Sequence, residues 1–217
     1  MDFAQARFNM VEQQIRPWNV LDQRVLDMLL DMRREDFVPP AYRDLAFVDM
    51  EIPLGHGEVM LTPKLEARII QELNIRKSDK VLEVGTGSGY MTALLAREAH
   101  HVYSVEIVPE FKAQAEEKLR AHGVHNVTLE EGDAAQGWDR HAKYDVIALT
   151  GSVPVLPEAF FASLNPNGRM FVVEGDAPVM EAKLITRLGD GACRTAILFE
   201  TCVPPLRNAL QPQRFSF

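Results

Sequence analysis

The sequence predicts an α/β fold of the Rossmann-like type, with a mostly parallel central sheet, a C-terminal antiparallel hairpin and a helical N-terminal extension. Three observations predict it. From Lys80 onward, short apolar strand patterns alternate with segments of helical period. The strand pattern Val81-Leu82-Glu83-Val84 runs directly into Gly85-Thr86-Gly87-Ser88-Gly89, and a helix follows. The segment before Lys80 lacks that alternation and reads as helices and loops instead.

Taken in order, Phe8, Val11 and Ile15 are expected on one face of a first helix, which Pro17 ends. Val25, Met28, Leu29 and Met32 form the apolar stripe of a second. Val38-Pro39-Pro40 breaks the helical pattern, and the two glycines around His56 predict a tight loop in which backbone approaches a neighbour closely. Thr62 is a candidate N-cap with Pro63 at the first helical position, and Leu65, Ile69 and Leu73 supply that helix's buried stripe.

Beyond Lys80, strands are predicted at 81–84, 102–107, 127–129, 144–149 and 170–173, with helices at 89–99, 109–122 and 156–164 between them. The order implies a parallel sheet with helices on both faces. Lys183–Leu188, Gly189-Asp190-Gly191 and Thr195–Thr201 read as an antiparallel hairpin. One domain is expected over 1–217, with 1–79 as helical extension and substrate loop and 80–217 as the Rossmann-like core.

Composition bounds the function. At 217 residues and 47% hydrophobic, the chain suffices for a single sizeable core. Lys and Arg number 23 against 31 Asp and Glu, a net charge of −8, and no strongly basic run is present, which disfavours nucleic acid as a partner. The start of the chain has no secretory pattern and no apolar run approaches bilayer-spanning length, so a cytoplasmic protein is expected, without membrane contact. Cys193 and Cys202 are expected as buried free thiols, and Trp18, Trp138 and the nine methionines as packing residues. His100-His101 has no further ligands at suitable spacing, so no metal site is expected. Phe215 and Phe217 suggest a tail that docks on an apolar surface.

The glycine loop carries the chemistry. Its spacing is G-x-G-x-G, not the G-x-G-x-x-G of dinucleotide enzymes, and the Gly-Lys-Ser/Thr of a P-loop is absent. Glu83 stands two places before the first glycine, where a carboxylate opposes a pyrophosphate but suits the sulfonium and ammonium groups of S-adenosylmethionine (SAM). Gly85, Thr86, Gly87, Ser88 and Gly89 are therefore candidate cofactor-binding residues. Glu106 ends the second core strand, 17 residues after Gly89, where it can accept hydrogen bonds from ribose hydroxyls, with Ile107 beside it. Gly132-Asp133-Ala134 follows the third and offers a polar side chain and backbone for an adenine. Thr150, past the fourth strand, completes the set.

These segments together resemble the protein-L-isoaspartate O-methyltransferase family along nearly the whole chain. Met10-Val11-Glu12-Gln13-Gln14-Ile15 with Val20-Leu21-Asp22, Arg34-Glu35-Asp36-Phe37-Val38-Pro39, Ile52-Pro53-Leu54-Gly55-His56-Gly57, Leu82 to Tyr90 and Gly132 to Trp138 are similar to its successive motifs. The resemblance implies a class I SAM-dependent methyltransferase that esterifies the α-carboxylate of L-isoaspartyl residues in damaged proteins, an ester that then collapses to a succinimide. It also implies a substrate site at His56, Val59, Met60, Leu61 and Thr62. The family's usual Gly-Gln-Thr-Ile-Ser-x-Pro reads Gly57-Glu58-Val59-Met60-Leu61-Thr62-Pro63 here, so two hydroxyls are replaced by Val59 and Leu61. Leu61 and its neighbour Thr62 thus occupy the region of the family's substrate-holding serine. Lys64 stands where a histidine is common, and Thr150-Gly151-Ser152-Val153-Pro154 departs from Thr-Ala-Ala-x-Pro. Two other readings stay open: a related methyltransferase with a different acceptor, and a SAM-binding module without turnover. A nicotinamide oxidoreductase is opposed by the glycine spacing and Glu83.

Overall fold

The computed structural model describes residues 1–212; the expectation placed on Phe215 and Phe217 lies outside them. The chain opens with α1 (Phe3–Met10), whose first turn is capped by the Asp2 carboxylate accepting from the amides of Ala4 and Gln5. The helix then widens to π-type hydrogen bonding over Val11–Ile15 and tightens to a 3-10 turn at Arg16–Trp18. The wider turn moves the apolar stripe: Met10, Val11 and Ile15 are buried, while Phe8, expected on their face, is 50% exposed.

In α2 (Gln23–Asp31), Asp22 caps the N-terminus and the stripe Val25, Met28, Leu29 with Met32 is buried as expected. Two strands, β1 (Ile52–Gly55) and β2 (Glu58–Met60), then pair antiparallel. The segment read as a loop is this small hairpin. Its turn residues Gly55, His56 and Gly57 all have positive φ, and a Cβ at either glycine meets nothing within 4 Å, so the glycines serve backbone conformation and not close approach. Helix α3 (Pro63–Leu73) starts at Thr62, whose hydroxyl oxygen accepts from the amide of Leu65, and ends at left-handed Asn74.

Then come β3 (Lys80–Val84), α4 (Tyr90–Glu98), β4 (His101–Glu106), α5 (Pro109–Ala121), β5 (Val127–Glu131), β6 (Tyr144–Val153), α6 (Glu158–Ser163), β7 (Leu164–Asp176), β8 (Val179–Arg187) and β9 (Cys193–Thr201). The large sheet runs β5-β4-β3-β6-β7-β8-β9, parallel from β5 to β7 and antiparallel through β8 and β9. The predicted C-terminal hairpin is present, extended by a second tight return between β7 and β8 into a three-strand meander.

Alternation along each strand sends side chains to two cores. Val81, Val102, Val146, Ala148, Phe171 and Val173 face a large cluster that also takes in the N-terminal helices, α3 and α4. Leu82, Val84, Ile147, Leu149, Met170 and Val172 face a smaller one closed by Phe160 of α6, with Phe161 and Trp138 packed against it. Trp138 is thus a packing residue. Trp18 sits at the surface instead, 36% exposed, edge-on to Phe199 with the Lys64 ammonium over its ring. Cys193, which opens β9, and Cys202, just past it, are free but exposed, because β9 is the sheet's outer strand and none of the described residues covers them. Among the described residues no helix is long and apolar enough to cross a membrane, and no group of three or more His, Cys, Asp or Glu is placed to hold a metal ion.

The N-terminal segment is bolted to α3 and the start of α4 by Arg34, which is fully buried. Its Nε donates to Glu66 of α3 at 3.0 Å, Nη1 to the carbonyl of Ala46 at 2.9 Å and Nη2 to the carbonyl of Leu61 at 2.6 Å, with the guanidinium over the Tyr90 ring. Truncating one member of such a pair strands the other charge in a low dielectric. Arg34→Ala is expected to lower unfolding free energy by about 3–5 kcal/mol, read as a drop in urea midpoint at unchanged slope.

Candidate active site

The parallel strands β3, β4 and β6 end at one edge of the sheet, where ligands bind in open α/β folds. Three adjoining cavities line that edge and share Gly85. One lies over Gly132, Asp133 and Ala134; one runs along Glu106, Ile107 and Thr150 to Leu54, Val59 and Leu61; the third reaches Ser88, Met91 and Glu66. The central one has a cavity volume of about 90 Å³. They form a continuous cleft between the sheet edge, the β1–β2 hairpin and the segment after β9.

The glycine loop shapes the cleft floor. Gly85 has φ +97°, and a Cβ there falls 2.4 Å from the Thr150 hydroxyl oxygen. That oxygen lies 2.8 and 2.7 Å from the carbonyls of Val84 and Gly85, a donation shared between both, so Thr150 clamps the end of β3. Gly87 and Gly89 also have positive φ, and Gly89 lies against Ala115 of α5. Ser88 accepts from the amide of Tyr90 and opens the helix.

Glu106 lies 5% exposed at the end of β4. Its Oε2 accepts from the amide of Gly87 at 2.8 Å and its Oε1 from that of Val108 at 2.9 Å. The carboxylate therefore ties the loop to the next strand, and each oxygen keeps a lone pair for a hydroxyl donor. Asp133 accepts from the amide of Ala135 and from the side-chain amide of Asn208 at 2.8 Å. Gly132 is required by Trp138, whose ring a Cβ meets at 2.4 Å.

Glu83 is placed differently from the sequence reading. Strand alternation turns its side chain under α4, away from the cleft, where it is fully buried. Its Oε2 accepts from Thr92 at 2.5 Å and from Ser104 at 2.6 Å, and Ser104 meets Thr86 at 2.6 Å. Its Oε1 has no partner among the described residues. Burial, opposed by those two hydroxyls, pushes its carboxyl up to about 8, so it holds a proton at neutral pH. Glu83 braces the loop from beneath, and the negative charge that reaches the cleft floor is that of Glu106.

On the opposite side of the cleft the hairpin and the residue after it bring Leu54, Val59 and Leu61 to the lining, with Met60 buried beside them. Thr62 turns towards α3 as its cap and does not line the cleft. His56 stands at the rim, its ring paired with Glu110 at 2.9 Å and packed edge-on to Phe111. Lys64 is drawn outward to Asp49 at 2.5 Å.

The sequence reading missed the segment after β9. Val203 to Arg207 forms the remaining wall of the cleft. Ser152 secures it, its amide donating to the carbonyl of Pro204 and its carbonyl accepting from Leu206. Gly151 leaves room for Leu206, whose side chain a Cβ meets at 2.7 Å. The Pro204-Pro205 pair was the available signal, since it ends strand pairing and forces an extended path.

Comparison with known proteins resolves the class. The family model for protein-L-isoaspartate(D-aspartate) O-methyltransferase matches residues 5–209. The chain belongs to this family. A protein-L-isoaspartate O-methyltransferase of Gloeobacter violaceus is 40% identical over 166 residues, 76% of this chain and 81% of that relative. A Plasmodium falciparum structure described as a protein-L-isoaspartate O-methyltransferase in complex with S-adenosyl-L-homocysteine shares the fold at a TM-score of 0.80, with 19% identity over 93% of this chain and 98% of its own. A second solved protein-L-isoaspartate O-methyltransferase gives 0.78 at 24% identity over 92% of this chain, which spans 65% of that longer protein. As a member, the chain is a SAM-dependent methyltransferase of class I architecture.

The cleft fits that cofactor: it has glycine backbone on its floor, a carboxylate at Glu106 and no phosphate-binding lysine among its lining residues. Glu106→Ala removes two charge-assisted bonds to backbone, each worth about 1.5–3 kcal/mol, and is expected to weaken SAM binding at least about tenfold by calorimetry. Glu83→Gln is expected to leave that affinity nearly unchanged. Its effect belongs to stability: a carboxyl raised from 4.5 to about 8 contributes fully below about pH 4.5 and loses that contribution as pH rises to about 8. Melting temperatures between pH 5 and 8.5 are expected to fall less steeply in Glu83→Gln than in the parent chain.

Proposed function

We propose that the chain transfers the methyl group of SAM to the α-carboxylate of L-isoaspartyl residues in proteins and peptides. The observation that carries this reading is the continuity of the cleft in a member of this family. Cavities over Asp133, along Glu106 and beneath Leu61 share Gly85 in their linings, which supports adjoining donor and acceptor compartments.

Bound SAM supplies an electrophilic methyl group on a sulfonium centre. Gly85, Thr86, Gly87, Ser88, Gly89, Glu106, Ile107, Gly132, Asp133, Ala134 and Thr150 are the residues proposed to hold it, with Glu83 bracing them from behind. Glu106 is suited to ribose hydroxyls by its two accepting oxygens, and Asp133 with the backbone of Ala134 to an adenine amino group.

A carboxylate acceptor has an ordinary pKa near ~4 and is ionised at neutral pH, so no general base is required of the protein. Its task is alignment, which can supply roughly 7–11 kcal/mol when reacting atoms are well oriented. Leu54, Val59, Leu61, Phe111 and Val203 give the acceptor side apolar walls that exclude water from the nucleophile. Met60 anchors the hairpin, His56 fixes its turn at the rim, and Thr62 fixes the start of α3 beneath it. The unpaired state of two exposed cysteines fits a reducing, cytoplasmic setting.

Leu61 favours one competing reading, a changed acceptor, because it puts a methyl-bearing side chain where the family has a hydroxyl. Transfer of labelled methyl from SAM to an isoaspartyl peptide, with the aspartyl peptide as control, separates the two. Selective labelling of the isoaspartyl form is expected. Cofactor binding without label in either peptide rejects repair activity in favour of another acceptor or a binding role.

A further inference from the structure

An anionic acceptor entering an apolar cleft needs a positive partner, and the cleft offers one. Of the described residues lining its three cavities, Arg207 alone carries a positive charge, against Glu58, Glu66, Glu106 and Asp133. It lines both the central cavity and the one over Asp133, and so stands where the two meet. The guanidinium is already held in place. Its Nε donates to Glu58 Oε1 at 2.6 Å and its Nη2 to the carbonyl of His56 at 2.5 Å, which ties the segment after β9 to both sides of the β1–β2 turn. Nη1 makes no hydrogen bond among the described residues, so donors of the planar fork stay free. The side chain is 40% exposed, accessible to an incoming group yet fixed at two points.

We propose that Arg207 receives the carboxylate of the methyl acceptor, acting in place of the hydroxyl that Leu61 removes. This rests on the carboxyl-methylating function proposed above. Leu61 offers only hydrocarbon at 7% exposure, and the Thr62 hydroxyl caps α3, so the hairpin supplies no side-chain donor there. A guanidinium is suited to the task, because its N–H groups match a carboxylate in plane and it stays charged at any working pH. Glu58 and the His56 carbonyl preorient it, which lowers the entropy cost of capture.

The test compares an isoaspartyl peptide with the same peptide carrying an α-carboxamide, which lacks the anionic group. Calorimetric binding of both is measured with S-adenosylhomocysteine present, in the parent chain, Arg207→Gln and Arg207→Lys, alongside methyl-transfer kinetics and SAM affinity. The parent chain is expected to prefer the carboxylate at least about tenfold, and Arg207→Gln to lose that preference through a raised KM while SAM affinity holds within about twofold. Arg207→Lys keeps the charge without the fork and is expected to retain part of the preference. A carboxylate preference undiminished in Arg207→Gln overturns the assignment. So does a parent chain without preference, or a Gln variant whose defect lies wholly in SAM affinity. If the parent binds the isoaspartyl peptide but transfers no methyl group to it, the repair reading fails, and the role of Arg207 is still decided by the binding ratio.

Discussion

The buried pair of Arg34 with Glu66 is the interaction on which the cleft depends. One guanidinium holds the carbonyls of Ala46 and Leu61, the carboxylate of α3 and the ring of Tyr90 at the start of α4. The β1–β2 hairpin runs into Leu61 and the glycine loop into Tyr90, so a single side chain ties one wall of the cleft to its floor. Burying an ion pair is costly in itself, and its value here lies in specifying one geometry. A second buried carboxylate, Glu35, meets Arg7 of α1 and draws the first helix onto the same assembly.

The floor is built by a different economy. Thr150, Glu106 and Glu83 approach the glycine loop from above, beside and beneath, each through short bonds to backbone or hydroxyl groups. Glycine is required where φ is positive and Thr150 comes close, and side chains from three separate strands hold the loop. Such preorganisation suits a reaction that asks for alignment more than for proton transfer. It also explains how an acidic residue can brace the glycine loop without facing the cleft.

The acceptor side departs most from the family pattern. Replacing a hydroxyl by Leu61 removes a donor, while Gly151 admits Leu206 and brings the segment carrying Arg207 against the hairpin. Leu61, Gly151 and Arg207 are separated along the chain but line one cavity. Together they make one wall, on which the only hydrogen-bonded cation among the described residues is Arg207, tethered to Glu58 and the His56 carbonyl.

Local pattern sufficed for much of this protein. The strand–helix alternation, the stripe of α3, the cap at Thr62, the glycine loop and the place of Glu106 are all written in contiguous residues, because periods of 2 and 3.6 and the φ demands of glycine act over a few positions. Where local spacing misled, a neighbour distant in sequence or a shift in local geometry decided. The π-turn moved Phe8 out to solvent, and the outer position of β9 exposed both cysteines. The direction of Glu83 depended on which face of β3 receives α4. The fourth wall of the cleft depended on backbone bonds between Ser152 and residues about fifty positions later, a pairing that no periodicity encodes. Fold class and the glycine loop follow from short-range stereochemistry, whereas the place of Arg207 at the cleft is set only when the segment after β9 returns to the hairpin.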